Sequence, residues 1–209
     1  TPHFGKPFWD RPLSVFDESH NIGLRSAHVM SALVAPLMIK NNKGLMVQVS
    51  SFGGVKYVFD VGYGVGKAGL DRLTADMAAE LKPYNVHAVT LYPGAGVTEV
   101  TAFPGGETPV FTGRAVAALL NKTSNEDNVR MSGKVVQTAE LAVDYGFTDV
   151  NGGMPEGDFS GVEAAKLQRE MMSKPLIQYD MDAKLPDPSE TNNSGIAGLF
   201  AGAQNYSEK

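Results

Sequence analysis

The sequence predicts an α/β fold in which helices cover a parallel sheet. Two observations support this prediction. Segments whose apolar residues recur every three or four positions alternate with short runs that are apolar throughout. The resulting order, a helix followed by a strand three times over, is typical of parallel strands joined by right-handed crossovers. In open parallel sheets, chemistry gathers at the carboxyl ends of the strands, and functional residues are therefore expected there.

The first helix and strand occupy the beginning of the chain. Asp10 and Pro12 are typical of a helix start, and apolar residues then recur to about residue 40, with an interruption near Gly23. The run 45–50 is short, apolar and bounded by turn-forming residues. It is therefore predicted to be a buried parallel strand.

Two further helix and strand pairs follow. A helix is predicted over residues 60–81 and a strand over 86–92, which Pro93 ends. A region rich in Gly, Pro and Thr then leads to a short helix at 113–121 and a third strand at 133–137.

Composition limits the function classes that fit the chain. Hydrophobic residues make up 43% and charged residues 20%, as in ordinary globular proteins. The net charge is −5 and the 18 Lys and Arg residues are scattered, so nucleic-acid binding is not expected. There is no cysteine, and no other residues have metal-ligand spacing, so no metal site is expected. No apolar run reaches the roughly 18 residues of a spanning helix. We therefore expect an intracellular, cytoplasmic protein, with organelle or endoplasmic-reticulum association left open.

Tyr63 and Lys67 lie four positions apart near the start of the second predicted helix, so they share one face. A tyrosine exchanges protons near neutral pH only if its pKa falls well below about 10. A nearby ammonium group favours the phenolate and lowers that pKa. A surface tyrosine beside a solvated lysine has the same spacing, so other residues must decide between the two interpretations.

Residues at two strand ends favour the catalytic interpretation. Ser51 precedes Tyr63 by 12 residues and Ser50 by 13, and both follow the first predicted strand. A hydroxyl at that place can hydrogen-bond the oxygen of a reacting carbonyl. The next strand ends in the glycine-containing loop Pro93–Thr98, whose backbone can approach a flat ligand.

Together these residues resemble the short-chain dehydrogenase/reductase (SDR) family. The family pattern has an Asn in a long helix, a strand that ends in Ser, a Tyr-x-x-x-Lys pair and a Pro-Gly-x-x-x-Thr loop. The chain matches it in this order with Asn21, Ser51, Tyr63 with Lys67, and Pro93–Thr98. The resemblance covers roughly residues 6–152. It implies a Rossmann-like, doubly wound parallel sheet, of which the chain holds the C-terminal half of an SDR domain.

The resemblance implies a role for each residue of the reacting group. Tyr63 is the implied acid/base, and Lys67 binds the nicotinamide ribose and lowers the pKa of the tyrosine. Ser51 orients the substrate carbonyl, and it is preferred to Ser50 because a Ser-x-x-Gly turn follows it. Asn21 holds a water molecule in the proton relay.

The resemblance also implies a cofactor and partners. Pro93, Gly94 and Thr98 contact the nicotinamide amide. The cofactor is NADP or NAD, with NADP favoured by the resemblance. The substrate is a small carbonyl or alcohol, which exchanges a hydride with nicotinamide C4. Family members commonly form homo-oligomers through the two long helices.

The chain departs from the family pattern in one respect. The family's glycine-rich turn, Thr-Gly-x-x-x-Gly-x-Gly, and its Asn-Asn-Ala-Gly segment are absent from the 209 residues. Residues 1–185 are therefore predicted to be a partial SDR domain, inactive in isolation, and residues 186–209 a polar, flexible tail. Three interpretations stay open: a fragment of an NAD(P)-dependent oxidoreductase, a non-catalytic SDR-like module that binds a full-length partner, and an incomplete sequence without a function of its own.

Overall fold

A computed structural model describes residues 6–99 and 101–173 of the chain. Within them, three parallel strands form one sheet in the order β1–β2–β3: β1 Gly44–Val49, β2 Val86–Tyr92 and β3 Val135–Gln137. The predicted α/β fold with a parallel sheet is therefore confirmed. The ends of the predicted domain and tail, at residues 185 and 209, lie outside the described residues.

Seven helices accompany the sheet in the described part of the chain. In chain order they are α1 Leu13–His20, α2 Ser26–Lys40, α3 Val61–Leu81, α4 Pro109–Asn121, α5 Asn125–Met131, α6 Thr138–Tyr145 and α7 Gly161–Met172. The π-helical segment Asn21–Arg25 joins α1 to α2, so the chain runs as one continuous helix from Leu13 to Lys40. The interruption predicted near Gly23 is thus a widened turn.

The later helices depart most from the sequence-based predictions. Helix α4, predicted from residue 113, begins at Pro109, whose fixed φ suits the first turn of a helix. Helices α5, α6 and α7 were not predicted. The sequence contains a signal for α5, because Ser124 and Asp127 form a capping box at its start. Local capping chemistry therefore locates a helix too short for its apolar periodicity to be recognised.

Strand β2 lies at the centre of the core, and all seven of its residues are buried. On one face, Leu91 packs with Leu119 of α4 and Leu141 of α6. On the other face, Ala88 packs with Leu81 of α3. Helices therefore cover both faces of the sheet, which is the doubly wound arrangement that the family resemblance implied.

The long helix is covered much less. Large apolar side chains are exposed along it, namely Leu13, Phe16, Ile22, Met30, Leu33 and Leu37. By length and composition the segment Leu13–Lys40 could cross a membrane, so the expectation that no segment could do so is wrong. That expectation considered only uninterrupted apolar runs. The mean hydropathy of a helix stays high when isolated polar residues interrupt such runs. A helix that packs between protein layers has the same composition.

Candidate active site

Ser51 and Tyr63 meet at the carboxyl end of β1. Ser51 follows the strand closely, and Tyr63 lies in the first turn of α3. Their hydroxyl oxygens are 2.6 Å apart, which is a hydrogen-bond distance. The convergence expected from their 12-residue spacing is therefore present.

The turn after β1 determines which serine reaches the tyrosine. The Ser51 side chain accepts a hydrogen bond from the amide of Gly53 at 3.1 Å. A Cβ on Gly53 would lie 2.4 Å from Cε1 of Tyr63, so only glycine lets the ring lie against the turn. Ser50 is buried instead and donates to the backbone carbonyl of Lys67 at 3.3 Å. The structure thus brings Ser51, the preferred serine, to the tyrosine.

The start of α3 fixes the position of Tyr63. Asp60 caps the helix, and its Oδ1 accepts from the amide of Tyr63 at 2.8 Å. The other carboxylate oxygen of Asp60 pairs with Arg11 at 2.8 Å. The ring of Phe59 packs edge-on against that of Tyr63, with centroids 4.9 Å apart. Both the backbone and the ring of the tyrosine are therefore held in place.

Lys67 lies one turn beyond Tyr63 on the same helix face. Its Nζ is 5.7 Å from the centroid of the Tyr63 ring and donates to the backbone carbonyl of Val49 at 3.4 Å. Val49 is the last residue of β1, so the ammonium group lies at the strand end beside Tyr63. Burial lowers the pKa of Lys67, and the negative charge of Asp71 opposes that effect.

The pKa of Tyr63 differs from the expectation. Burial raises this pKa above its ordinary value, the hydrogen bond with Ser51 lowers it, and the charge of Asp60 raises it further. The Lys67 ammonium, held at the Val49 carbonyl, does not offset the burial. In this structure burial outweighs any lowering of the Tyr63 pKa by Lys67, and the role expected of Lys67 stays a prediction. A phenolate at this site needs a further positive charge.

Asn21 lies in the long helix before β1, and no hydrogen bond joins it to the proposed site within the described residues. It opens the π-helical segment between α1 and α2, where its carbonyl accepts from the Ser26 amide. Such segments often mark functional sites. The Asn21 side chain is exposed and forms no hydrogen bond to Ser51, Tyr63 or Lys67 in the part of the chain that the structure describes. Its role in a proton relay stays a prediction.

The Pro93–Gly94 turn follows β2 directly and is covered by the loop before α7. A Cβ on Gly94 would lie 2.9 Å from Oγ of Ser160 and 3.0 Å from its Cα. The Ser160 hydroxyl also donates to the carbonyl of Ala95 at 2.9 Å. The C-terminal loop therefore supports the backbone of the turn from one side.

Thr98 lies further out, in an exposed loop. Its amide donates to the carbonyl of Thr101 at 2.7 Å, and the two hydroxyl oxygens are 3.0 Å apart. A cavity of about 540 Å³ opens next to Ala95, and its walls include Phe103 and Phe159. These two rings meet edge to face, with centroids 6.5 Å apart. A cavity of this size accommodates a small organic molecule.

A pair of side chains beneath Lys67 was not predicted from the sequence. Tyr92, the last residue of β2, donates a hydrogen bond to Oδ2 of Asp71. The other carboxylate oxygen of Asp71 is buried without a hydrogen-bond partner among the described residues. Burial raises the pKa of Asp71, whereas the hydroxyls of Tyr92 and Ser50 lower it. The four-residue spacing from Lys67 is the sequence signal that could have identified Asp71.

Comparisons with known proteins now identify the family. Residues 4–104 match the family model described as short chain dehydrogenase. The mouse protein dehydrogenase/reductase SDR family member 1 is 38% identical over 167 residues, which cover 70% of this chain and 52% of the relative. The chain belongs to the short-chain dehydrogenase/reductase family. It spans about half the length of this SDR relative.

Other SDR proteins match shorter stretches of the chain. The pig carbonyl reductase 2, whose name specifies NADPH, is 36% identical over 95 residues, or 44% of this chain and 39% of the relative. A 3-oxoacyl-(acyl-carrier protein) reductase from Brucella melitensis, solved with bound NAD, has a TM-score of 0.56 at 20% identity. That match covers 66% of this chain and 55% of the other. At this identity the likeness shows the SDR Rossmann fold alone.

Proposed function

We propose that the chain carries the catalytic part of an NAD(P)-dependent oxidoreductase that acts on a carbonyl or alcohol substrate. The observation that carries the proposal is the 2.6 Å contact between the hydroxyls of Ser51 and Tyr63, with Lys67 one turn away. A bound nicotinamide ring would supply or accept the hydride at its C4 atom. The names of the pig and Brucella relatives support a nicotinamide cofactor, and NADP remains the favoured form.

The residues of the site fit such a cofactor. The Lys67 ammonium has three donor protons, and only one hydrogen bond, the 3.4 Å contact to Val49, is present among the described residues. Its remaining protons are available for ribose hydroxyls. The Pro93–Gly94 turn lies at the end of the neighbouring strand, and its glycine allows close approach of a flat ring.

Tyr63 and Ser51 would act together on the substrate oxygen. Because their hydroxyls are within hydrogen-bond distance of each other, both can face one substrate atom. During reduction, the Tyr63 hydroxyl transfers its proton to the substrate oxygen as the carbonyl carbon gains the hydride. Ser51 donates a hydrogen bond to the same oxygen and stabilises its developing negative charge. The Tyr63 phenolate that remains is stabilised by the Lys67 ammonium.

The pKa of Tyr63 bears on the direction of the reaction. Because burial raises this pKa, the neutral phenol predominates at neutral pH. The neutral phenol is the form that reduction requires, since it donates the proton. Oxidation of an alcohol requires the phenolate and would therefore be favoured by alkaline pH.

The test uses the 209 residues joined to the amino-terminal part of the mouse relative, which should supply the glycine-rich turn; we call this the joined protein. Tyr63→Phe should lower NADPH-dependent carbonyl reduction by about 10²- to 10⁴-fold, because it removes the proton donor. Tyr57→Phe is the matched control, since Tyr57 is 48% exposed and outside the group. Reduction by the Tyr63 variant within a few-fold of wild type, with an unchanged melting curve, would refute the proposal.

We also propose that the 209 residues alone are inactive. In the family the pyrophosphate binds at a glycine turn and a helix N-terminus, and that turn is absent from this sequence. NADPH should therefore bind weakly to the chain alone in a fluorescence titration. Micromolar binding together with a sharp thermal transition would show a self-sufficient domain.

A second candidate is a non-catalytic module that binds a partner through the long helix. The exposed apolar side chains between Leu13 and Leu37 favour it, because patches of this kind recruit partners. Light scattering distinguishes the candidates. A partner-binding module should associate through this face, and Leu33→Asp should abolish association without reducing any turnover.

A further inference from the structure

Glu107 is a buried acid for which the proposed mechanism has no use. It is 1% exposed and lies two residues before α4, in the loop that follows the Pro93–Gly94 turn. A carboxyl group buried to this extent is costly unless it is protonated or well hydrogen-bonded. The groups around it therefore indicate what it holds in place.

The side chain of Glu107 joins two helices. The hydroxyl of Thr112 in α4 donates to its Oε1 at 2.8 Å. The hydroxyl of Thr138, the first residue of α6, donates to its Oε2 at 2.7 Å. Burial raises the pKa of Glu107, whereas these two hydroxyls and the backbone of Gly94 lower it. The carboxylate is thus satisfied from two helices and lies next to the turn.

The main chain of Glu107 holds the segment after the turn. Its amide donates to the carbonyl of Ala95 at 2.9 Å, and its carbonyl accepts from the amide of Val97 at 2.8 Å. These two bonds form an isolated parallel bridge between Gly96 and Glu107. One residue therefore connects residues 95–97 by its backbone to α4 and α6 by its side chain.

The sheet supports the same region from the other end. Thr138 directly follows Gln137, which pairs with Tyr92 in the sheet. Tyr92 in turn directly precedes Pro93. The turn is therefore attached to the sheet before it and to Glu107 after it, so neither end can shift independently.

We propose that Glu107 is a positioning residue for the nicotinamide-binding turn. By fixing residues 94–97 against α4 and α6, it sets how closely the turn can approach the nicotinamide half of the cofactor. The inference rests on the proposed function, because it assigns the turn to cofactor binding.

Asp149 provides a matched control. It is 5% exposed, and its carboxylate accepts from the amide of Thr108 at 2.9 Å and from the Thr108 hydroxyl. It thus anchors the same end of α4 as Glu107 does. Neither its side chain nor its backbone bonds to residues 93–97 in the described structure. Its charge raises the pKa of Glu107, but Asp149→Asn removes no hydrogen bond of residues 93–97, so this variant tests general destabilisation of the loop.

The experiment compares Glu107→Gln and Asp149→Asn in the joined protein. The dissociation constants of NADPH and of 2′-phospho-ADP-ribose, which lacks the nicotinamide, are measured by calorimetry. Glu107→Gln should weaken NADPH binding by about tenfold, as expected for one impaired hydrogen bond to a charged group. It should leave the affinity for 2′-phospho-ADP-ribose unchanged. Asp149→Asn should lower the melting temperature without changing either affinity.

The other possible results would overturn either the inference or the proposed function. Equal weakening of both ligands, or unchanged NADPH binding with a lower melting temperature, would mean a purely structural Glu107 and overturn the inference. Hydrogen exchange at the Val97 amide supplies a readout without cofactor, and it should be faster in Glu107→Gln than in Asp149→Asn. Equal exchange would also overturn the inference. A wild-type joined protein that binds NADPH but reduces no carbonyl would refute the proposed function alone.

Discussion

The two sides of β2 are covered very differently. On the β3 side, the apolar residues of α4 and α6 that face the sheet are buried: Phe111 has no exposed surface and Leu141 is 2% exposed. On the β1 side, strand β1 is only partly buried, and Leu33 on the long helix is 67% exposed. Ser51 and Tyr63 lie on this less covered side. The contact between these two side chains therefore depends mainly on two local structures, the capped start of α3 and the glycine turn after β1. It depends less on burial in the core.

The two sides of β2 should differ in local stability. Opening a region costs free energy in proportion to the packing and hydrogen bonds that it loses. Strand β1 and the long helix bury less apolar surface than α4 and α6 among the described residues, so the β1 side should open more readily than the β3 side. Added chain or a partner that covers β1 and the long helix should reduce this difference.

The largest effect is expected from paired truncations on the two sides. Phe111→Ala should lower the free energy of unfolding by about 3–5 kcal/mol, because it leaves a cavity next to Phe147. Leu33→Ala should change it by less than about 0.5 kcal/mol, because that side chain is largely in water. Urea denaturation followed by circular dichroism measures both. Comparable losses in the two variants would show that the long helix is packed in solution.

A second effect is expected within β1 itself. The amide of Ser50 donates to the carbonyl of Leu91 in β2. Because the backbone groups of successive strand residues point to opposite sides, Met46 and Gln48 should also face β2, and Leu45 and Val47 the outer edge. We expect the outer amides to exchange with solvent at least about 100-fold faster than the inner ones. Hydrogen exchange followed by NMR measures this.

The joined protein supplies the comparison for that experiment. A strand from the added part that pairs with β1 should slow exchange at Leu45 and Val47 and leave Met46 and Gln48 unchanged. Equal protection of all four amides in the chain alone would contradict an open edge.

What the sequence could predict follows the same division between local and distant contacts. The Ser51–Tyr63 pair was predictable because one strand, one turn and one helix start determine it. The direction of the Tyr63 pKa was not, since it depends on burial by residues far apart in the chain. Glu107 was missed because its partner Thr138 is 31 residues away and no periodic spacing links them. Periodicity locates elements, but it does not show what a loop carboxylate will touch.

The smallest expected effect concerns the pH dependence of stability at Asp71. Burial raises the pKa of this carboxyl above its ordinary value of 3.8, so the folded state keeps the proton to higher pH than the unfolded state does. The stability contributed by Asp71 is full below 3.8 and is lost as pH rises through the folded-state pKa. Asn cannot titrate, so the melting temperature of the Asp71→Asn variant should rise relative to that of wild type as pH rises from 4 towards 8.

Asp76, further along α3, should behave in the opposite way. Its exposed carboxylate pairs with Arg72 at 2.8 Å, and this pairing lowers its pKa below 3.8. Its contribution is therefore present above that value and is lost as pH falls through the folded-state pKa. Asp76→Asn should lose a little melting temperature at neutral pH and match wild type in acid. Melting curves of both variants between pH 2 and 8 should thus diverge from wild type in opposite directions, because one carboxyl is buried beneath Lys67 and the other is paired in solvent. Curves that shift in the same direction would show that Asp71 is hydrated, and that the β1 side is open down to the residue beneath Lys67.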